Sequence, residues 1–156
     1  MTFERTVRRR PEIVWEFLTD LSTAATWVEE LVSIRPADEE KLAVGTRLEV
    51  ERRGPAIVQR VTCEITAWRE PSLLALETRL PRVVLLDRIT LTPVAEGTQL
   101  GVFAELSYGP AAAGLFTRAP GLSEATSKEV TIRGVYERSI DALVTRIERQ
   151  SAIPYR

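Results

Sequence analysis

An aspartate on an otherwise apolar strand face is the residue of this sequence best suited to chemistry. In the stretch VVLLDRITL (83–91), strand alternation places Asp87 on one face with Leu85, Ile89 and Leu91. A buried carboxylate is expensive, so it takes up a proton or finds a partner. Because apolar surroundings raise its pKa, such a group can exchange protons near neutral pH.

Two arginines and a tyrosine on predicted inward faces could act with Asp87. Arg5 belongs to the first predicted strand, and Arg133 and Tyr136 belong to the C-terminal helix. One interpretation is structural: Asp87 forms an ion pair with an arginine, or the twist of the sheet exposes it. The other is catalytic: Asp87 acts as general acid/base on a bound carbonyl compound, while Arg133 and Tyr136 polarise or anchor its oxygen. Such a site would promote enolisation, followed by aldol-type cyclisation or loss of water.

The residues that the chain lacks exclude several other chemistries. It has no histidine and one cysteine, Cys63. This excludes Ser-His and Cys-His nucleophile pairs, histidine-bound zinc and an intrachain disulfide, and it argues against a transition-metal site. No Walker-type loop or GxGxxG motif is present. We therefore expect no cofactor and no metal.

Length and charge restrict the class of protein. The 156 residues predict a single domain over 1–156. A formal net charge of −1, from 21 basic and 22 acidic residues, gives no electrostatic footprint for nucleic acid. We see no signal sequence and no apolar run near the roughly 20 residues of a membrane-spanning helix. We expect a soluble cytoplasmic protein without nucleic-acid binding or membrane insertion.

The period of the apolar residues changes along the chain from helix to strand and back to helix. A first strand is followed by two short helices, predicted over 11–21 and 22–31, and then by six alternating strands. The region from about 122 to 150 predicts one long helix with an apolar stripe. The stripe consists of Ile140, Leu143, Val144 and Ile147. We therefore predict a curved seven-stranded antiparallel sheet with the long helix across it.

The first half of the long helix continues this stripe with polar residues. Followed backwards, the stripe passes through Tyr136, Arg133, Glu129, Thr126 and Leu122. A helix across a curved sheet rarely fills the concave face completely. Either this half of the helix faces solvent, or it lines a pocket for a partly polar molecule.

Four sequence blocks resemble one protein superfamily in their order and spacing. They are VWEFLTDLSTAATW (14–27), VGTRLEV (44–50), LTPVAEGTQL (91–100) and IDALVTRIE (140–148). Through them the chain resembles the START-like (SRPBCC) helix-grip superfamily, which includes the birch pollen allergen. Within it, the chain is similar to bacterial polyketide cyclase/dehydratase-type proteins.

This resemblance implies an α+β helix-grip fold in which a long C-terminal helix covers an apolar cavity. Members of the superfamily bind lipids, sterols, polyketides or plant hormones, and some are aromatase/cyclase enzymes. The partner it implies is a small hydrophobic molecule. The residues expected to contact it are Trp27, Leu48, Val50, Cys63, Leu76, Leu85, Ile89, Val102, Leu115, Phe116 and Ile140.

Several of these residues have a second interpretation as ordinary core. Trp27 matches a framework position, and Cys63 fits a small core hydrophobe better than a nucleophile. Leu115 and Phe116 lie in a Gly-, Pro- and Ala-rich connector (109–121), which is either a gate over the cavity or a surface turn.

Three functional hypotheses follow from the sequence. A cyclase/dehydratase-like enzyme requires Asp87, Arg133 and Tyr136 to converge within hydrogen-bond reach. A carrier or sensor of a lipid-like or other hydrophobic ligand requires only the cavity. A protein-interaction member, similar to co-chaperones or toxins, predicts a filled cavity and an exposed apolar patch. A homodimer is left open in each case.

Overall fold

The computed structural model of the chain describes residues 1–38, 41–54, 56–108 and 122–150, with the backbone alone for 122–131. Within these residues seven strands form one antiparallel sheet in the order β1-β7-β6-β5-β4-β3-β2. The strands are β1 (Thr2–Val7), β2 (Leu31–Pro36), β3 (Arg47–Arg53), β4 (Val58–Arg69), β5 (Leu73–Leu80), β6 (Val83–Val94) and β7 (Gly97–Tyr108). The helices are α1 (Pro11–Thr19), a 3₁₀ turn (Ala24–Thr26) and α2 (Leu122–Gln150). This confirms the predicted helix-grip fold.

The sheet alternates between a buried concave face and an exposed convex face. In β7, for example, Leu100, Val102 and Ala104 are buried, whereas Phe103 between them is half-exposed. β6 pairs along its whole length with β7, so its side chains share this alternation. The inner face of the central strands is therefore mostly apolar, with Asp87 of β6 among its few polar residues.

A β-bulge changes which residue of β4 points inward. Simple alternation from Cys63 and Ile65 predicts Ala67 on the concave face. The pairing of β4 with β5 shifts between Ile65 and Ala67, and this shift brings Trp68 opposite the buried Leu74. The Trp68 ring packs edge-on against Trp15 of α1, with 5.0 Å between the ring centres.

The second predicted helix is reduced to the 3₁₀ turn because polar side chains compete for its backbone. Ser22 donates hydrogen bonds from both its backbone N–H and its hydroxyl to the Asp20 carboxylate. The Thr23 hydroxyl bonds to the Asp20 carbonyl, and the Thr26 hydroxyl to the Thr23 carbonyl. Such local bonds favour turns over a continuing helix.

The C-terminal half of α2 is held to the sheet and α1 by its buried stripe. Ile140, Leu143 and Ile147 are buried in the main core. Polar contacts reinforce this: the Glu29 backbone N–H donates to the Ser139 hydroxyl at 2.9 Å. The turn of the helix before Ser139 thereby places Ile132, Val135 and Tyr136 over the concave face. Within the described residues, no helix is both long and apolar enough to span a membrane.

Candidate ligand cavity

A cavity of about 400 Å³ lies between the concave face of the sheet and α2. This volume is within the usual range for a small-molecule site. Nine of the residues predicted to contact a ligand line the cavity: Trp27, Leu48, Val50, Cys63, Leu76, Leu85, Ile89, Val102 and Ile140. The two others, Leu115 and Phe116, lie outside the described residues.

Asp87 and Tyr136 meet inside this cavity. The Tyr136 hydroxyl donates a hydrogen bond to Oδ1 of Asp87, and both residues line the cavity. Asp87 comes from the middle of β6, and Tyr136 comes from α2. The tyrosine ring stacks on the buried Phe3 ring of β1, with 5.5 Å between the ring centres. The stacking orients the hydroxyl toward the sheet, so the pair joins the two walls of the cavity.

The surroundings of this pair change the proton affinity of both groups. Burial raises the pKa of Asp87 to about 6, although the hydrogen bond from Tyr136 partly opposes the increase. Burial, together with the charge of Asp87, also raises the pKa of the Tyr136 phenol. At neutral pH the phenol therefore remains a donor, while the carboxyl can take up and release a proton.

Arg133 does not face the cavity. Its guanidinium lies 4.9 Å from the centre of the Phe3 ring and 3.3 Å from the Glu137 carboxylate, and 48% of its side chain is exposed. The prediction of an inward-facing Arg133 fails because the cavity-lining stripe steps back four residues from Tyr136 to Ile132, rather than three.

The ion pair predicted for Asp87 is also not observed. Arg5, the second predicted partner, binds Asp141 at 2.8 Å. Within the described residues, neither Arg5 nor Arg133 forms a salt bridge with Asp87, and the partner is instead the Tyr136 hydroxyl.

The position of Arg133 leads to a prediction for its substitution. We expect Arg133→Gln to lower the free energy of unfolding by about 0.5–1 kcal/mol, because an exposed cation–π contact is lost. Binding of an apolar probe such as decan-2-one should be unchanged. Urea unfolding and calorimetric titration measure the two effects. If Arg133→Gln weakens binding as much as a substitution of a residue that lines the cavity, Arg133 does not lie outside the cavity as described.

Besides Asp87, three charged residues that the sequence-based prediction omits line the cavity: Glu29, Glu30 and Arg52. Arg52 of β3 borders the cavity and binds the Glu30 carboxylate at 3.1 Å. The sequence contains the signal, because Leu48, Val50 and Arg52 are successive members of one strand face. Trp68 also lines the cavity, but the bulge that turns it inward has no clear sequence signature.

Comparison with known proteins places this fold in a family. The family model described as polyketide cyclase / dehydrase and lipid transport matches residues 1–148. The chain belongs to this family. It therefore has a fold that binds hydrophobic ligands, in agreement with the apolar cavity. No curated protein matches the chain.

Solved structures with low sequence identity share the fold. The protein TTHA0849 from Thermus thermophilus is 17% identical, with a TM-score of 0.72 over 97% of this chain and 99% of that chain. Ara h 8.0201 is 13% identical, with a TM-score of 0.67 over 94% of this chain and 95% of its own. The di-domain ARO/CYC StfQ from the steffimycin biosynthetic pathway is 11% identical, with a TM-score of 0.77 over 98% of this chain and 51% of its own.

Proposed function

We propose that the chain binds a small, largely apolar molecule with a carbonyl or hydroxyl oxygen, that Asp87 exchanges a proton with it, and that Tyr136 donates a hydrogen bond to its oxygen. The observation that carries this proposal is the hydrogen-bonded Asp87–Tyr136 pair in a cavity otherwise dominated by apolar side chains. Apolar walls supply affinity, and a few convergent polar groups fix the orientation of a ligand. Polyketide-like and lipid-like ketones have this combination of properties.

The chemistry is a proton transfer next to a carbonyl group. The Asp87 carboxylate removes a proton from the carbon beside the carbonyl, and the electron pair of the broken C–H bond forms the enolate. The Tyr136 hydroxyl turns from Asp87 to donate a hydrogen bond to the enolate oxygen. The enolate carbon then attacks a second carbonyl of the same molecule, the π electrons of that carbonyl move onto its oxygen, and protonated Asp87 gives its proton to the resulting alkoxide. In a dehydration, the enolate electron pair instead forms a C=C bond as the C–O bond breaks, and protonated Asp87 gives its proton to the departing hydroxyl, which leaves as water.

The pKa of Asp87 suits this role. With a pKa of about 6, the group is mainly ionised at pH 7 but is a stronger base than an ordinary aspartate. The apolar walls that raise this pKa would also exclude water from the reacting atoms.

A carrier or sensor without catalysis is the second candidate. It is favoured by the outward position of Arg133, which removes one of the three groups that the enzymatic hypothesis places around the substrate oxygen. The protein-interaction hypothesis predicts a filled cavity, and the volume of about 400 Å³ argues against it.

Blocking the cavity tests the binding part of this proposal. In Leu85→Trp the larger side chain enters the cavity, whereas Leu86→Trp alters the neighbouring residue, which does not line it. We expect calorimetry to show that Leu85→Trp weakens binding of decan-2-one by at least about ten-fold, through lost burial of the ligand. Leu86→Trp should bind like the wild type.

Mass spectrometry of organic extracts provides an independent measurement. Wild-type protein and Leu86→Trp should release the same hydrophobic compound, and Leu85→Trp should release much less of it. If the two tryptophan variants bind decan-2-one equally well, the cavity is not the binding site.

A further inference from the structure

Arg52 is a cation on an apolar wall of the cavity. It shares the concave face of β3 with Leu48, which is 1% exposed, and with Val50. The Arg52 side chain is itself 31% exposed, so most of it is removed from solvent. A guanidinium in such a place needs a carboxylate partner, and the fork of its N–H groups fits one well.

The carboxylate that Arg52 binds comes from a side chain nearer to solvent. Glu30 lies 3.1 Å from Arg52, and 41% of its side chain is exposed. Its backbone has a φ of 68°, a left-handed conformation that non-glycine residues rarely adopt. The Arg53 backbone N–H holds this conformation by donating to the Glu30 carbonyl at 2.8 Å. Strained residues of this kind cluster at ligand sites.

The neighbouring acidic residue does not compete for Arg52. Glu29 binds Arg138 of α2 at 2.6 Å, and its backbone N–H binds the Ser139 hydroxyl. The charge of Arg52 is therefore balanced by Glu30. A second carboxylate could take over Arg52 if Glu30 moved toward solvent.

Arg52 and Asp87 line one cavity from the same concave face of the sheet, but from separate strands. Arg52 lies on β3 and Asp87 on β6, with β4 and β5 between them. Burial and the charge of Asp87 raise the pKa of Tyr136, whereas the positive charge of Arg52 lowers it. The charge of Arg52 therefore reaches the phenol through the cavity. A ligand that reaches both groups must be elongated and polar at two separate points.

We propose that Arg52 anchors the carboxylate of an apolar acid, in the position that the Glu30 carboxylate occupies. This inference rests on the proposed function, because it assumes that the cavity binds a small apolar molecule. It narrows the ligand to an elongated carboxylic acid whose carbonyl or hydroxyl group reaches Asp87 and Tyr136. The ligand carboxylate displaces the Glu30 carboxylate from Arg52, and no covalent bond is formed or broken.

Calorimetric titration with decanoate and decan-1-ol at pH 8 separates the contribution of Arg52 to the affinity from that of the apolar cavity. We expect the wild type to bind decanoate at least about ten-fold more tightly than decan-1-ol, because only decanoate can make charge-assisted hydrogen bonds to Arg52. Arg52→Gln should abolish this preference, so that decanoate and decan-1-ol bind with affinities within a few-fold of each other. Glu30→Gln should strengthen decanoate binding, because the competing carboxylate is gone.

Arg60→Gln is the matched control. Arg60 forms a similar pair with Glu51 at 3.4 Å, but its side chain is 87% exposed and does not line the cavity. This variant should keep the wild-type preference for decanoate. Circular dichroism establishes that each variant is folded, and Glu30→Gln tests the anchor even if Arg52→Gln does not fold.

The possible results separate the two proposals. If decan-1-ol binds but decanoate has no advantage, or if Glu30→Gln leaves the affinity for decanoate unchanged, the anchor is refuted while the cavity remains a binding site. If neither compound binds to the wild type, the proposed function fails, and the anchor fails with it.

Discussion

At pH 8 the Asp87→Asn variant should be more stable than the wild type by up to about 3 kcal/mol. The reason is the pKa of Asp87, which burial raises from 3.8 to about 6. Ionised Asp87 is therefore less favourable in the folded protein than in the unfolded chain. Asparagine has nearly the same shape, can still accept the Tyr136 hydrogen bond, and has no charge to bury.

The sign of the pH dependence follows from the direction of the pKa change. A carboxyl whose pKa is raised on folding contributes stability below its unfolded pKa, and this contribution is lost as the pH rises through the folded value. The loss therefore spans the interval from about pH 3.8 to just above pH 6. About half of it falls between pH 5 and pH 8, so the advantage of the variant should grow by about 1.4 kcal/mol between these conditions.

Urea unfolding at both pH values measures this difference. Asp141→Asn is a suitable control because Asp141 forms an ion pair with Arg5 and is 58% exposed. Its effect should change by less than about 0.5 kcal/mol over the same interval, as for other exposed pairs. If the advantage of Asp87→Asn is the same at pH 5 and pH 8, the Asp87 carboxyl is not buried as described.

The largest effect on rate is expected for proton exchange on a bound ketone. In heavy water, the wild type should speed deuterium incorporation at the carbons beside the carbonyl of decan-2-one. Asp87→Asn should lower the catalysed rate by at least about 100-fold, because it removes the general base. Tyr136→Phe should lower it by a similar factor, because the donor to the enolate oxygen is lost.

Each variant removes the reactive group of the side chain and keeps its packing. Tyr136→Phe keeps the ring that stacks on Phe3, and Asp87→Asn keeps the volume of the side chain. Decan-2-one should therefore bind to both variants with an affinity within a few-fold of the wild type, as judged by calorimetry. A parallel loss of binding and exchange would assign the pair to ligand binding rather than to proton transfer, as expected for a carrier.

The parts of the site predictable from the sequence are those governed by strict alternation. In β6 the two-residue period places Asp87 inside the cavity with Leu85 and Ile89. The same rule extends from Leu48 and Val50 to Arg52, but a charged residue at the end of a strand is usually taken as solvent-exposed. Alternation shows the face on which a residue lies, whereas only the tertiary structure shows that the cavity reaches the end of β3.

Helix periodicity is less decisive because 3.6 residues per turn allow steps of three or four. From Tyr136, a step of three leads to Arg133 and a step of four leads to Ile132. The structure uses the step of four at this point, so Arg133 lies over Phe3 instead of in the cavity. The rotation of the helix depends on packing along its whole length, including the buried Leu143 and Ile147.

Irregular backbone limits prediction in the remaining places. The bulge in β4 exchanges Ala67 for Trp68 on the inner face, and no glycine or proline marks its position in the sequence. The predicted helix after Asp20 is lost to bonds made by serine and threonine hydroxyls. Both cases depend on competition between backbone partners that a single sequence does not reveal.

The pH dependence of deuterium exchange on decan-2-one, measured for the wild type and Asp87→Asn, tests the central claim most directly. If Asp87 is the buried base, the wild-type rate should rise with pH and level off above about pH 6, the pKa of this carboxyl. Asp87→Asn should show a much lower rate without this inflection. Equal rates for the two proteins across the pH range would contradict a catalytic role for Asp87.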